Sequence, residues 1–119
     1  MILNTKDIQS IYVAVTYVDM RKSIDGLAHI VTMQFQLEVM DKSMFIFTNR
    51  NRNRLKILYY ENHGFWLFMR RLDKGTFKIH QVENKDVKMI DEKQLEWLLN
   101  GLEIEEKKML KTVKNRLLM

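Results

Sequence analysis

Cysteine and proline are both absent from this 119-residue chain. The lack of cysteine excludes disulfide bonds, thiolate-ligated zinc or iron–sulfur clusters and a cysteine nucleophile, and it is typical of a reducing cytoplasm. No apolar run approaches the roughly 20 residues that a membrane-spanning helix needs, and the first residues lack the basic and apolar regions of a signal peptide. We therefore expect a cytoplasmic protein without membrane attachment.

The rest of the composition is that of a folded protein, with 46% apolar and 29% charged residues. A chain of this length can bury one hydrophobic core, and no Gly- or Ser-rich linker or internal repeat divides it. We expect a single domain over residues 1–104. Residues 105–119 are expected to form a C-terminal amphipathic basic helix that packs on the same domain.

Positive charge is concentrated in the middle of the chain. The formal net charge is +5, but residues 49–80 alone carry eight basic side chains against Glu61 and Asp73. The flanking residues 1–48 and 81–119 are close to neutral. Such a concentration indicates a local surface that binds a polyanion, whereas the chain as a whole is only mildly basic.

Hydrophobic periodicity predicts the first helix and most of a sheet. The β-branched run Ile11–Val15 is typical of a buried strand, and helical spacing of apolar residues predicts a helix over Met20–Phe35 with Asp19 as its N-cap. Four more short strands are separated by turn residues, over Met44–Phe47, Arg54–Tyr60, Phe65–Arg71 and Thr76–His80. Short strands joined by short turns indicate an antiparallel meander.

One or two further helices are predicted after this meander. Asp91 and Gln94 have the spacing of a capping box, Leu95 and Leu98 share one helical face, and Gly101 lies near the expected end. The fold class that we predict is α+β. It comprises an antiparallel β-meander of four to five strands, one amphipathic helix packed on it, and one or two C-terminal helices.

Two segments carry motifs of a known family. Residues 19–28 read D-M-R-K-S-I-D-G-L-A, and residues 49–77 contain R-L-K-I-L-Y, G-F-W-L and R-L-D-K-G-T-F. In this order the motifs resemble the TnpB accessory protein of the insertion-sequence-66 (IS-66) transposon family. The resemblance implies a role in DNA transposition beside a separate, larger transposase. The implied partners are DNA at the transposon ends, the transposase and other proteins of the element.

The candidate nucleic-acid-binding residues combine cations with aromatic rings. Alternation places Arg54, Lys56 and Tyr60 on one face of their strand, and Trp66 and Arg70 on one face of the next. If these faces align, they form one cationic surface that engages phosphates and stacks on unpaired bases. The full set is Arg50, Arg52, Arg54, Lys56, Arg70, Arg71, Lys74, Lys78, Tyr60 and Trp66. The alternative is a solvated face whose Arg and Lys side chains keep edge strands from aggregating.

Patterns for catalysis are weak in this chain. No carboxylate pair has metal-ligand spacing, the three histidines are isolated, and no phosphate-binding glycine loop or nucleophile elbow occurs. We expect no catalytic residues, no metal, no cofactor and no small-molecule substrate. The prediction is a non-catalytic accessory protein for IS-66-type transposition that contacts DNA, the transposase or both through its basic hairpins. The alternative is a protein-interaction module that binds the transposase without direct DNA contact.

Overall fold

A computed structural model describes residues 7–104, and within them five strands form one sheet in the order β4-β3-β2-β1-β5. The strands are β1 Ser10–Ala14, β2 Ser43–Thr48, β3 Arg54–Glu61, β4 Gly64–Arg71 and β5 Val87–Ile90. The helices are α1 Ile24–His29, which continues into a π-helical turn Ile30–Gln34, and α2 Glu92–Leu99. The predicted α+β class is confirmed.

Strand β2 is the centre of the sheet, and all six of its residues are buried. Phe45 and Phe47 face α1, while Met44 and Ile46 face α2. We call these two faces of the sheet the α1 side and the α2 side. Because both faces of β2 are covered, its sequence is continuously apolar from Met44 to Phe47 instead of alternating with polar residues.

Two hydrophobic clusters hold the layers together, one on each side of the sheet. On the α1 side, Leu27 and Val31 pack against Phe45, Phe47 and Leu58. The α2 side is built from helix, sheet and loop residues, among them Leu95, Leu98, Phe77, Ile79, Ile11, Val13, Met44, Ile46, Leu55 and Ile57. Burying this apolar surface on both sides is the main favourable contribution to folding.

The prediction of a wholly antiparallel meander is wrong for β1. Strand β1 pairs parallel with β2, from Ser10 opposite Ser43 to Val13 opposite Ile46. Strands β2, β3 and β4 form the antiparallel meander, and β5 adds to β1 antiparallel. A parallel pair needs a crossover connection, and α1 with its π-helical turn provides it.

The first helix begins at Ile24, four residues after the start of the predicted helix Met20–Phe35, and its N-cap is Ser23 instead of the predicted Asp19. The Lys56 ammonium lies 2.7 Å from the carbonyl oxygens of both Met20 and Lys22. These bonds hold the 20–22 segment in a loop, and Ser23 at the N-cap has an extended backbone with φ −109° and ψ −159°, so the first turn begins at Ile24. At the other end, Phe35 N donates to Ile30 O at 3.0 Å, which widens the last turn into a π-helix.

The predicted strand Thr76–His80 is absent, and a strand that periodicity did not indicate, β5, occupies the other edge. Phe77 N donates to Arg52 O at 2.7 Å, and Ile79 N turns back to Phe77 O at 3.0 Å. This local turn prevents a regular ladder, although Phe77 and Ile79 are buried as their alternation indicates. Strand β5 is short and lies in a polar stretch, so its pattern is weak.

Helix α2 begins as its capping pattern predicts. Asp91 Oδ1 accepts from Gln94 N at 2.8 Å, and Asp91 N donates to Gln94 Oε1 at 2.9 Å. Gly101 follows the helix with φ +74°, a left-handed conformation that glycine adopts without strain. The predicted C-terminal helix, residues 105–119, lies outside the described residues. None of the helices within residues 7–104 is long and apolar enough to cross a membrane.

Phe77→Ala is expected to lower the free energy of unfolding by about 3 to 5 kcal/mol, because it leaves a cavity between sheet and loop. Urea unfolding followed by circular dichroism measures this change. Val82→Ala, at a position in the same segment that is 40% exposed, is the control and should change stability by less than about 0.5 kcal/mol. Equal effects of the two substitutions would contradict the burial of Phe77.

Candidate nucleic-acid interface

The turn between β2 and β3 is built by asparagine side chains. Asn49 Oδ1 accepts from the backbone N–H of Asn53 and of Arg54, each at 3.1 Å, and Asn49 Nδ2 donates to Asn53 Oδ1 at 2.8 Å. Arg52 has a left-handed backbone with φ +56°. Asparagine side chains that satisfy turn amides fix the backbone of the loop. The turn therefore holds its arginines at defined positions.

The segment after β4 is joined to this turn by backbone hydrogen bonds. Leu72 N donates to Asn53 O at 2.8 Å, and Phe77 N donates to Arg52 O at 2.7 Å. These bonds bring the two basic segments of the sequence to one end of the sheet. We call this surface the basic end, and it comprises Arg50, Arg52, Arg54, Arg71 and Lys74.

The basic end includes a pair of like charges on adjacent strands. Arg54 is the direct cross-strand partner of Arg71, and both side chains are exposed. Directly opposed like charges destabilise a sheet. The nearby acid is Asp73, whose Oδ1 lies 3.5 Å from Arg71 Nε in an exposed pair of little energetic weight.

The expectation that the two mixed faces align is wrong. Tyr59 pairs with Trp66, and Leu55 pairs with Arg70, so Trp66 and Arg70 lie on the α2 side. Arg54, Lys56 and Tyr60 lie on the α1 side, because side chains alternate along a strand. The two-residue turn Asn62–His63, with φ +50° and +67°, sets this register. Recognising that turn in the sequence gives the correct alignment.

Three of the candidate cations are held by intramolecular hydrogen bonds. Lys56 binds the two carbonyls ahead of α1, and Arg70 Nε donates to Leu99 O at 2.8 Å, at the end of α2. A cation there neutralises unpaired helix carbonyls. Lys78 Nζ donates to Thr76 Oγ1 at 3.2 Å. These three side chains therefore have structural contacts. Within the described part of the chain, Arg71 is the member of the basic end whose side chain also has one, its ion pair with Asp73.

The two candidate aromatic residues lie apart from each other. Tyr60 is half-buried and meets Phe65 edge to face, with ring centroids 4.9 Å apart. Trp66 is 49% exposed, stacks on Phe68 at 5.9 Å, and donates its Nε1–H to Glu61 Oε1 at 3.0 Å. The structure thus divides the predicted surface: Arg54, Lys56, Tyr60 and Arg71 lie on the α1 side, and Trp66 and Arg70 lie on the α2 side.

The 19–22 loop lies beside this region, which charge counting in residues 49–80 missed. Arg21 is engaged with Asp19, the shortest contact being 2.6 Å between Arg21 Nη2 and Asp19 Oδ2. Hydrogen bonds from the Arg21 side chain and backbone hold the pKa of Asp19 at about 2, against an ordinary value of 3.8. Lys22 is exposed, and its carbonyl binds Lys56. The feature of the sequence that could have pointed to this loop is the D-M-R-K motif of residues 19–22.

Comparison with known proteins identifies the family. The sequence profile of the family described as IS66 Orf2-like protein matches residues 9–109. The chain belongs to the IS66 Orf2-like family. A relative from Sinorhizobium fredii, the uncharacterized protein y4hO, is 31% identical over 93 residues, which is 78% of this chain and 80% of that protein. No solved structure matches the chain significantly.

Membership gives this IS66 Orf2-like protein its biological setting, an accessory role in transposition of an insertion sequence. The predicted family is confirmed, and the matched range includes the whole basic end. Within residues 7–104, no three His, Asp or Glu side chains are grouped so that they could hold a metal ion. The basic end brings the exposed cations Arg50, Arg54, Arg71 and Lys74 together with the half-buried Arg52 on adjacent segments, and it is the candidate interface.

Asn49→Ala should lower the free energy of unfolding by about 1 to 2 kcal/mol, since it leaves two backbone N–H groups of a partly buried turn without their acceptor. Asn51→Ala is the matched control in the same turn, and it should change stability by less than about 0.5 kcal/mol. Thermal or urea unfolding measures both. An Asn51→Ala loss as large as that of Asn49→Ala would show that the turn is organised differently.

Proposed function

We propose that this IS66 Orf2-like protein is a non-catalytic accessory factor that binds DNA through its basic end during transposition. The observation that carries the proposal is the direct opposition of Arg54 and Arg71. An anion placed between two such side chains relieves their repulsion and accepts hydrogen bonds from both guanidinium groups. DNA phosphates are anions that suit this arrangement.

The arrangement favours contact with the phosphate backbone over reading of base sequence. Asn49 Oδ1, Asn49 Nδ2 and Asn53 Oδ1 all bond within the turn, so neither asparagine has both amide groups free for a bidentate contact with a base edge. Trp66 lies on the opposite side of the sheet from Arg54, so it does not supply a stacking ring beside these cations. Arginines without adjacent base readers position a protein on DNA and bind it in a salt-dependent way.

Binding to a fluorescent duplex with the transposon-end sequence should weaken steeply with salt. If about five cations contact phosphates, log K falls with log salt at a slope near −4 to −5. Arg54→Gln combined with Arg71→Gln should reduce the magnitude of that slope by about 2. Fluorescence anisotropy over a salt series measures the slope.

A matched double variant removes the same charge elsewhere. Lys42 precedes β2 and Lys93 lies in α2, both at the opposite end of the sheet from the 49–53 turn. Lys42→Gln combined with Lys93→Gln should leave the slope unchanged. Equal losses in the two double variants would assign binding to net charge, and no binding at low salt would overturn DNA contact.

Contact with the transposase is the second candidate function. The observation that favours it is the exposed Trp66, stacked on Phe68 on the α2 side, because exposed tryptophans are enriched at protein interfaces. This alternative needs no DNA contact.

Co-purification with the element's transposase, from lysate treated with nuclease, separates the two candidates. If the transposase contact is direct, Trp66→Ala should abolish co-purification, and Arg54→Gln with Arg71→Gln should leave it intact. Adding DNA with the terminal repeats shows whether DNA bridges the two proteins. Co-purification that depends on this DNA and on the two arginines would contradict the protein-only alternative.

A further inference from the structure

The two edge strands of the sheet differ in their protection against pairing with another chain. Strand β5 has four residues, Val87–Ile90, and includes Lys88. Strand β4 has eight residues, and its first six, Gly64–Met69, contain no charge. Natural proteins blunt edge strands by making them short or by placing charges, proline or bulges in them. Strand β4 lacks these features between Gly64 and Met69.

The outer edge of β4 offers a regular set of backbone groups. Leu72 N donates inward, to Asn53 O, and hydrogen bonding alternates along an antiparallel strand. Residues 64, 66, 68 and 70 therefore bond to β3. The N–H and C=O groups of Phe65, Leu67, Met69 and Arg71 point away from the sheet, and β4 has no further strand beside it among residues 7–104.

We propose that β4 pairs antiparallel with β4 of a second copy of this chain, in a register centred on Leu67. A two-fold axis perpendicular to the sheet keeps each face on the same side, so every residue pairs with one of its own face. Leu67 then pairs with itself, Phe65 with Met69, and Trp66 with Phe68. The two five-stranded sheets become one continuous sheet.

Aromatic complementarity favours this register. Trp66 and Phe68 already stack within one copy and are both on the α2 side. Pairing Trp66 of each copy with Phe68 of the other doubles this stack into four rings across the axis, and aromatic cross-strand pairs stabilise sheets. Met69, which is 56% exposed, gains a partner in Phe65 of the other copy.

Charge complementarity favours the antiparallel orientation for a pair of identical β4 strands. Parallel pairing would put the Arg70–Arg71 ends together, whereas antiparallel pairing separates them by the length of the strand. Arg70 of one copy lies opposite Gly64 of the other, beside a recess of about 240 Å³ lined by Glu61 and Trp66. Gly64 has no side chain and open space around it, so Arg70, whose Nε remains on Leu99 O, can direct its Nη groups across to the Glu61 carboxylate.

The full chain, purified alone, should have twice the monomer mass of 14.4 kDa in sedimentation velocity at about 1 to 100 μM. Met69→Pro removes the outward N–H without removing a β3–β4 hydrogen bond, and it should weaken association at least about tenfold. Met69→Thr keeps the N–H and a strand-forming side chain, so this control should stay dimeric. Thermal unfolding checks that both variants are folded.

Charge reversal tests the register, and this test can be made even if Met69→Pro does not fold. Glu61→Arg and Arg70→Glu should each weaken the dimer, and the double variant should restore it. A wild-type chain that is monomeric over the whole concentration range overturns the proposal. Slow hydrogen exchange of the outward β4 amides in such a monomer would show that the chain itself covers this edge. The proposal is also overturned if the folded Met69→Pro variant remains dimeric. It is overturned as well if the double charge-reversal variant does not restore the dimer that the single reversals weaken.

Discussion

The burial of β2 on both faces is the constraint on which the rest of the structure depends. A strand covered by α1 and α2 must have hydrogen-bonded neighbours on both edges, because buried backbone groups need partners. Strand β3 supplies one edge through a short turn, and β1 supplies the other in parallel. The crossover that parallel pairing requires is the α1 segment. The 49–53 turn that leaves β2 thereby lies at the same end of the sheet as the return from β4.

The elements that the sequence predicts well are those determined by local chemistry. Strands β2, β3 and β4 have strong apolar or alternating patterns between turn residues, and Asp91 with Gln94 forms the expected capping box. The start of α1 could not be predicted from periodicity, because a lysine 36 residues away binds the Met20 carbonyl. Likewise, nothing local to Thr76–Ile79 indicates that Phe77 N bonds to Arg52 O. Tertiary contacts override local preference at these positions.

The candidate site could be predicted in its residues but not in its arrangement. Charge counting found the arginines of the basic end, since their concentration is visible in the sequence. The division of the candidate residues of β3 and β4 between two faces depends on one feature, the two-residue turn at Asn62–His63, because a register shift of one residue moves every side chain to the other face. Lys56 and Arg70 are cations of the kind that bind phosphates, yet both side chains bind backbone carbonyls. Composition identifies cations without showing which of them are already engaged.

The position of β1 between β2 and β5 also affects how the chain reaches this fold during synthesis. Ile11 pairs with Met44 and with Ile90, so β1, the first strand of the described residues, receives its β5 neighbour only near their end. At about 5 to 20 residues per second, translation separates these two partners of β1 by a few seconds. The β2-β3-β4 meander has only local pairings, so all three of its strands are made before β5 is. Until β5 is made, β1 is an edge of any sheet that these strands form, with its outer backbone groups open to pairing.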